Sequence, residues 1–187
     1  MSKKASSKKG RQQWLLIVVS LSFGLSIVMS LLTSIFTESA GLLVALIALI
    51  VLVMLGILTD MIGTSVTSAA EQPFISMASK RIKGAKQALR LIRRAERVSS
   101  VLNDVVGDIV GIVSGSAGSV IAVYLASLGV PGALATVLMT AFISSFMIGG
   151  KAYAKGFAIE KSDTIVLFVG RAMAIFEKQG KKKKKKA

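Results

Sequence analysis

Apolar positions in this chain come in long unbroken runs, not in the three-and-four rhythm of a helix that keeps one wet face. Residues 12–37 form 26 positions without a charge, residues 39–59 form 21, and residues 109–150 form 42. A hydrocarbon layer about 30 Å thick takes roughly 20 helical residues at 1.5 Å each. The first two runs therefore predict one span apiece, at residues 14–36 and 41–60. The third is too long for one crossing and carries Gly-Val-Pro-Gly at 129–132, a turn signal near its middle. It predicts two helices and a tight loop, the first running from about Gly107 to Ala126. The expected fold is an all-α integral membrane protein with four transmembrane helices.

Between the second and third spans the pattern changes. The segment MIGTSVTSAAEQPFISM, residues 61–77, is rich in small hydroxyl residues and closes on Glu71 and Pro73. It breaks the second span near its end. Ser68 and Glu71 have the spacing of a capping box, in which a hydroxyl and a carboxylate satisfy free amides at a helix start. A broken helix at membrane depth is also tolerated where it lines a cavity, so the segment is a candidate site as well. From residue 79 to 98, Ile82, Ala85, Leu89 and Ile92 step by three and four among basic residues. That spacing predicts a basic amphipathic helix on the membrane surface. Its headgroup-facing cations would be Lys80, Arg81, Lys83, Arg90, Arg93 and Arg94. Residues 164–176 are apolar but number only 13 and include Arg171; they predict a second interfacial helix.

Charge fixes the expected orientation. All 24 Lys and Arg lie before the first span, between the second and third, or after the fourth, and the other two loops carry none. The positive-inside rule then puts both termini in the cytosol, in a multi-pass protein of the plasma membrane. Residues 1–13 and 177–187 read as basic tails, the latter dominated by a Lys run at 181–186. An alternative reading makes residues 1–40 a cleaved signal peptide, although residues 14–36 exceed the usual length of such a core. A net charge of +15 invites comparison with nucleic-acid binders, but aromatic residues are sparse and no recognition fold fits between the spans. Anionic lipid headgroups are the expected partner.

The chain has no cysteine and no histidine. Disulfides, thiolate chemistry, imidazole catalysis and the usual zinc sites are excluded, and no enzyme activity is expected. The candidate chemistry lies in acids near the spans. Asp104, Asp108, Gly111 and Gly115 follow 4-3-4 spacing, and Gly107, Gly111 and Gly115 recur every four residues. Small residues at that interval allow close helix packing in lipid, so both acids are expected on the packed stripe. Asp60, at the end of the second span, and Lys151, just past the fourth run, are expected at similar depth. Charges held there usually face a partner or a pathway.

The order of these features resembles the membrane domain of the CNNM/CorC family of magnesium transporters. The resemblance rests on SAAEQPFISM after a span, a basic helix ending Ala95-Glu96-Arg97, a glycine-bearing span, and GGKAYAKGFAIEKSDTIVLFVGRAMAIF after the last one. It covers residues 43–176, within an expected membrane domain at 41–176 preceded by an additional helix at 14–36. Such proteins are homodimers that move Mg²⁺, often with sodium coupling, and carry cytoplasmic CBS domains. The resemblance implies site hydroxyls at Thr64 and Ser68, a Gly-Asn pair at Gly107-Asp108, and a Gly-Glu pair at Gly150-Lys151. Here the glutamate position holds Lys151, the asparagine position Asp108 and a nearby proline position Ala154. Too few residues follow Phe176 for CBS domains.

Thr64, Ser68, Asp104 and Asp108, with a few backbone carbonyls, could supply oxygens to Mg²⁺, which wants about six at 2.0–2.1 Å and keeps several waters. An ammonium within that shell opposes the ion strongly, since even two unit charges interact by about 4 kcal/mol at 4 Å and an effective dielectric of 20. Lys151 could instead take the ion's place and pair with Asp108. Three functions stay open: a divalent-cation transporter, a non-transporting scaffold or partner subunit whose site that pair fills, and a membrane-surface adaptor acting through its basic helix and tail.

Overall fold

The computed structural model describes the backbone of residues 2–38 and 42–184, and side chains over residues 13–31 and 42–177. The loop expected around residues 37–41 lies largely outside that range, as do the side chains of the terminal Lys run. Every described element is helical: α1 Ser2–Glu38, α2 Leu42–Ser68, α3 Glu71–Ser79, α4 Ala85–Ile92, α5 Ala95–Ser99, a π-helical turn Ser100–Val106, α6 Gly107–Ser127, α7 Gly132–Glu160 and α8 Ser162–Lys184. Four stretches are long and apolar enough to cross a membrane: Gln13–Leu31, Leu42–Ser68, Ala95–Ser127 and Gly132–Glu160. The chain is a multi-pass, all-α membrane protein, because only a helix or closed barrel satisfies its own backbone in lipid.

Two compact units form, one from residues 1–56 and 105–148, the other from 57–104 and 149–187. In the first, the core joins Leu49 and Leu52 of α2, Val110, Val113 and Ala117 of α6, and Ile143 and Met147 of α7, with Val18 and Leu25 of α1 against it. The Ile143 Cδ1 occupies the place a Cβ on Gly118 would need, and the Met147 Sδ lies 3.5 Å from the corresponding point on Gly111. As position rises along α6 it falls along α7, so the two are antiparallel. Their turn is sharp because Gly129 has φ +97°, a conformation that costs glycine nothing. Its amide and that of Val130 bond back to the carbonyls of Ala126 (3.1 Å) and Leu125 (3.3 Å). Pro131, which has no N–H to donate, sits just before α7, where none is needed.

The expected stripe on α6 is displaced. Within the chain the packed face carries Val110, Ser114, Ala117 and Gly118, and Gly107 is buried with them. Gly111 is half-buried, and Gly115 is exposed with nothing within 4 Å of a would-be Cβ. Asp104 and Asp108 are both exposed. The turn Ser100–Val106 closes its hydrogen bonds over five residues rather than four. That wider turn changes the register of Asp104 alone. Asp108, Gly111 and Gly115 share the regular α6, whose packed face is the neighbouring one, and Val105 and Ile109 are buried instead.

The second unit is built around Phe74, Val66, Ala88 and Val166, all fully buried. Phe74 of the PFIS stretch is the largest of them and ties α3 to the end of α2. The capping box does not form: Ser68 ends α2, and the residue capping α3 is Ala70, extended at ψ 142° with no side-chain cap. Glu71 instead lies in the first turn of α3, where a negative charge suits the helix dipole, and pairs with Arg93 at 2.7 Å. Pro73 falls in that same first turn, where its missing donor costs nothing.

The single basic helix expected over residues 79–98 is also divided. Gly84, at φ +88°, and Arg81, at φ +57°, turn the chain between α3 and α4, and Ile82 is exposed. The cause is close helix crossing. A Cβ on Gly84 would stand 2.6 Å from the Arg171 amide nitrogen of α8, and one on Gly170 would stand 2.9 Å from Ala88. Arg90 and Gln87 of α4 then reach Glu177 at 2.7 and 2.9 Å. The second interfacial helix, expected over 164–176, extends to Ser162–Lys184.

Candidate cation site

Asp60 is the one buried carboxylate among the described residues, with its side chain 5% exposed. It lies in the C-terminal part of α2, within a membrane-spanning stretch. Taking a carboxylate out of water costs several kcal/mol unless a positive group or hydrogen-bond donors compensate. Lys155 of α7 provides the positive group: its Nζ stands 3.6 Å from Asp60 Oδ2. That distance is an ion pair but not a hydrogen bond, and Oδ2 accepts none. Half of the Lys155 side chain is exposed, so its ammonium reaches the acid from the edge of the site.

Three contacts hold α7 against this stretch of α2. Ile57 fills the space beside Gly150, Asp60 meets Lys155, and the Ser65 hydroxyl lies 3.3 Å from the Ala158 carbonyl. Ser65 also donates to Met61 within its own helix at 2.8 Å. Position rises along both helices together, so α2 and α7 run parallel here. Parallel spans imply a third crossing between them, which α6 supplies.

A second oxygen lies one turn along. The Asn103 Oδ1 occupies the place where a Cβ on Gly63 would stand, and Gly63 follows Asp60 by three residues, on the same face of α2. Asn103 belongs to the π-helical turn, and its Nδ2 donates to Ser99 Oγ at 3.2 Å, which turns Oδ1 toward α2. That oxygen too is buried without a hydrogen-bond partner. Two buried oxygens without donors, one of them anionic, make an environment that favours a cation.

The residues expected to hold metal are placed otherwise. Ser68, Asp104 and Asp108 are exposed and Thr64 is half-buried. Among the described residues no three carboxylates gather into a metal-holding group. Asp108 lies in the first unit and Lys151, half-buried, in the second. The basic residues Lys80, Arg81, Lys83, Arg90, Arg93 and Arg94 are all exposed, and Arg90 and Arg93 pair with Glu177 and Glu71.

Lys155, Asn103 and Gly63 carried signals too weak to single out. Lys155 repeats Lys151 one turn later, and Gly63 follows Asp60 at helical spacing, but neither spacing says which helix lies opposite. No family description matches this chain, and neither does any curated protein or solved structure.

Proposed function

We propose that this chain is a cation carrier of the CNNM/CorC type, with Mg²⁺ as its cargo and Asp60 as the group that meets the ion. The observation that carries this reading is the burial of Asp60 in a spanning helix beside an ammonium that does not hydrogen-bond it. Membrane proteins keep ionisable groups at such depth chiefly where an ion or proton passes. Mg²⁺ is commonly held by one or two carboxylates while keeping several waters, a demand that a single acid and a neighbouring amide oxygen can meet. Further support comes from the order of elements, with a broken helix, basic surface helices and two more spans after α2. In this reading the protein is a homodimer of the plasma membrane, its termini and the basic segment between α3 and α5 face the cytosol, and the exposed cations rest on anionic headgroups.

The decisive experiment is Mg²⁺ flux into proteoliposomes containing the full chain. Wild type should carry the ion and Asp60→Asn should lose most of the flux while keeping its fold. Wild-type flux unaffected by Asp60→Asn would remove Asp60 from the pathway.

The position of Lys155 favours one second reading, a non-transporting scaffold whose ion site is permanently filled by its own ammonium. An inert wild type and a Lys155→Gln variant that binds Mg²⁺ without moving it would establish that reading instead.

A further inference from the structure

We infer that Lys155 is a tethered competitor for the cation at Asp60, and that Asn103 supplies the ion's second protein oxygen. The inference rests on the carrier reading above and adds how the site is regulated. Its basis is the combination of three groups in the second unit. Asp60 offers a buried anionic oxygen that no donor satisfies. Asn103 offers a buried neutral oxygen one turn away, fixed by its bond to Ser99 and admitted only because residue 63 is glycine. Lys155 neutralises the acid from 3.6 Å and keeps half its side chain exposed.

The Lys155 position is that of a removable counter-ion. A lysine committed to a structural pair would close to hydrogen-bond distance and bury its head, since the desolvated pair is worthwhile only with good geometry. Lys155 stays 3.6 Å away with half its side chain exposed, and its long flexible stem lets the ammonium swing into water without moving α7. A divalent ion at Asp60 brings two positive charges to a site with one negative charge. The Lys155 ammonium then repels the ion at short range and has no reason to remain. Ion and ammonium are mutually exclusive occupants of one carboxylate. The chain thereby avoids an uncompensated buried charge between ions, and entry of the ion requires Lys155 to leave.

The test reads Lys155 directly in the full chain, in detergent, by its rate of acylation with an amine-reactive reagent followed by mass spectrometry. Choline is replaced with Mg²⁺ at constant ionic strength. Lys155 acylation should rise severalfold, while the exposed Lys80 and Lys86 serve as internal controls and stay level. In Asp60→Asn, Lys155 should react fast in either salt. In Asn103→Ala, the response should need severalfold more Mg²⁺, with no change in the choline baseline. Acylation indifferent to Mg²⁺ in wild type would overturn the competition, and an unchanged response in Asn103→Ala would remove Asn103 from the site. Sodium acting as strongly as Mg²⁺ would overturn the divalent assignment. Flux that persists while acylation stays flat leaves the carrier and removes the competitor. Acylation that responds without flux does the reverse.

Discussion

The amide oxygen of Asn103 fills the space on α2 that any side chain at position 63 would require, so Gly63 and Asn103 form a lock between α2 and the π-helical turn. The lock sits one turn from Asp60, so the packing and the chemistry of the site share one helix face.

Gly63→Ala should therefore expel the Asn103 side chain and strain both segments. Forcing an extra carbon into a filled space costs about 1–3 kcal/mol. Thermal unfolding in detergent should show that loss, and Gly63→Ala/Asn103→Ala should recover most of it by making room. A double variant no better than the single one would mean that the clash lies elsewhere.

Removing the two members of the Asp60–Lys155 pair should have unequal effects. Lys155 is half-exposed and Asp60 is buried, so the lysine left alone can be hydrated and the acid cannot. Lys155→Ala should cost up to about 3–5 kcal/mol, the range for stranding a buried charge. Asp60→Asn, and the neutral pair Asp60→Asn/Lys155→Gln, should cost clearly less. Denaturant or thermal unfolding of the three variants checks the ranking.

The crossing of α4 and α8 should depend on glycine rather than on charge. Gly84→Ala faces both the positive φ and the Arg171 backbone; the left-handed conformation alone costs a non-glycine residue about 1–2 kcal/mol. Proteolysis between residues 79 and 95 should accelerate in that variant. Arg90→Ala removes an ion pair whose side chains are 57% and 42% exposed, and exposed pairs are worth about 0–1 kcal/mol. Its proteolysis should stay close to wild type, with whatever difference remains fading in high salt.

The orientation can be read with single cysteines, because the chain has none of its own. Leu128→Cys, in the α6–α7 turn, and Lys86→Cys, on α4, should react with a membrane-impermeant maleimide from opposite sides. In intact cells only Leu128→Cys should label, and Lys86→Cys should label once the membrane is opened. The opposite pattern would invert the topology.

Much of the architecture was legible because its causes are local. A run of apolar residues long enough for the hydrocarbon layer is a property of the chain, and so is the Gly-Val-Pro-Gly turn that divides residues 109–150. The break after α2 was equally visible in SAAEQP. Its capping box was not, because Ser68 continues α2 by one residue and leaves Ala70 at the start of α3. The basic helix over 79–98 failed for a reason outside its own sequence: α8 comes so close that Gly84 must turn the chain.

The candidate site divides along the same line. That acids lie near span ends could be read directly, and Asp60 was among them. Which of the acids is buried depends on how each helix is rotated and what packs against it. The face of α6 that packs carries Val110, Ser114 and Ala117 and leaves Asp108 exposed, while Ile57 and Ser65 hold α7 so that Lys155 meets Asp60. The sequence by itself determined the number and order of the spans and the distribution of charge, since these follow from chain length against bilayer thickness and from hydration of ions, although α2 runs on to Ser68 beyond the expected end at residue 60. Only the tertiary structure decided that Asp60, Lys155 and Asn103 belong together, because burial is set by the neighbour across a helix face, and no spacing within one helix encodes that neighbour.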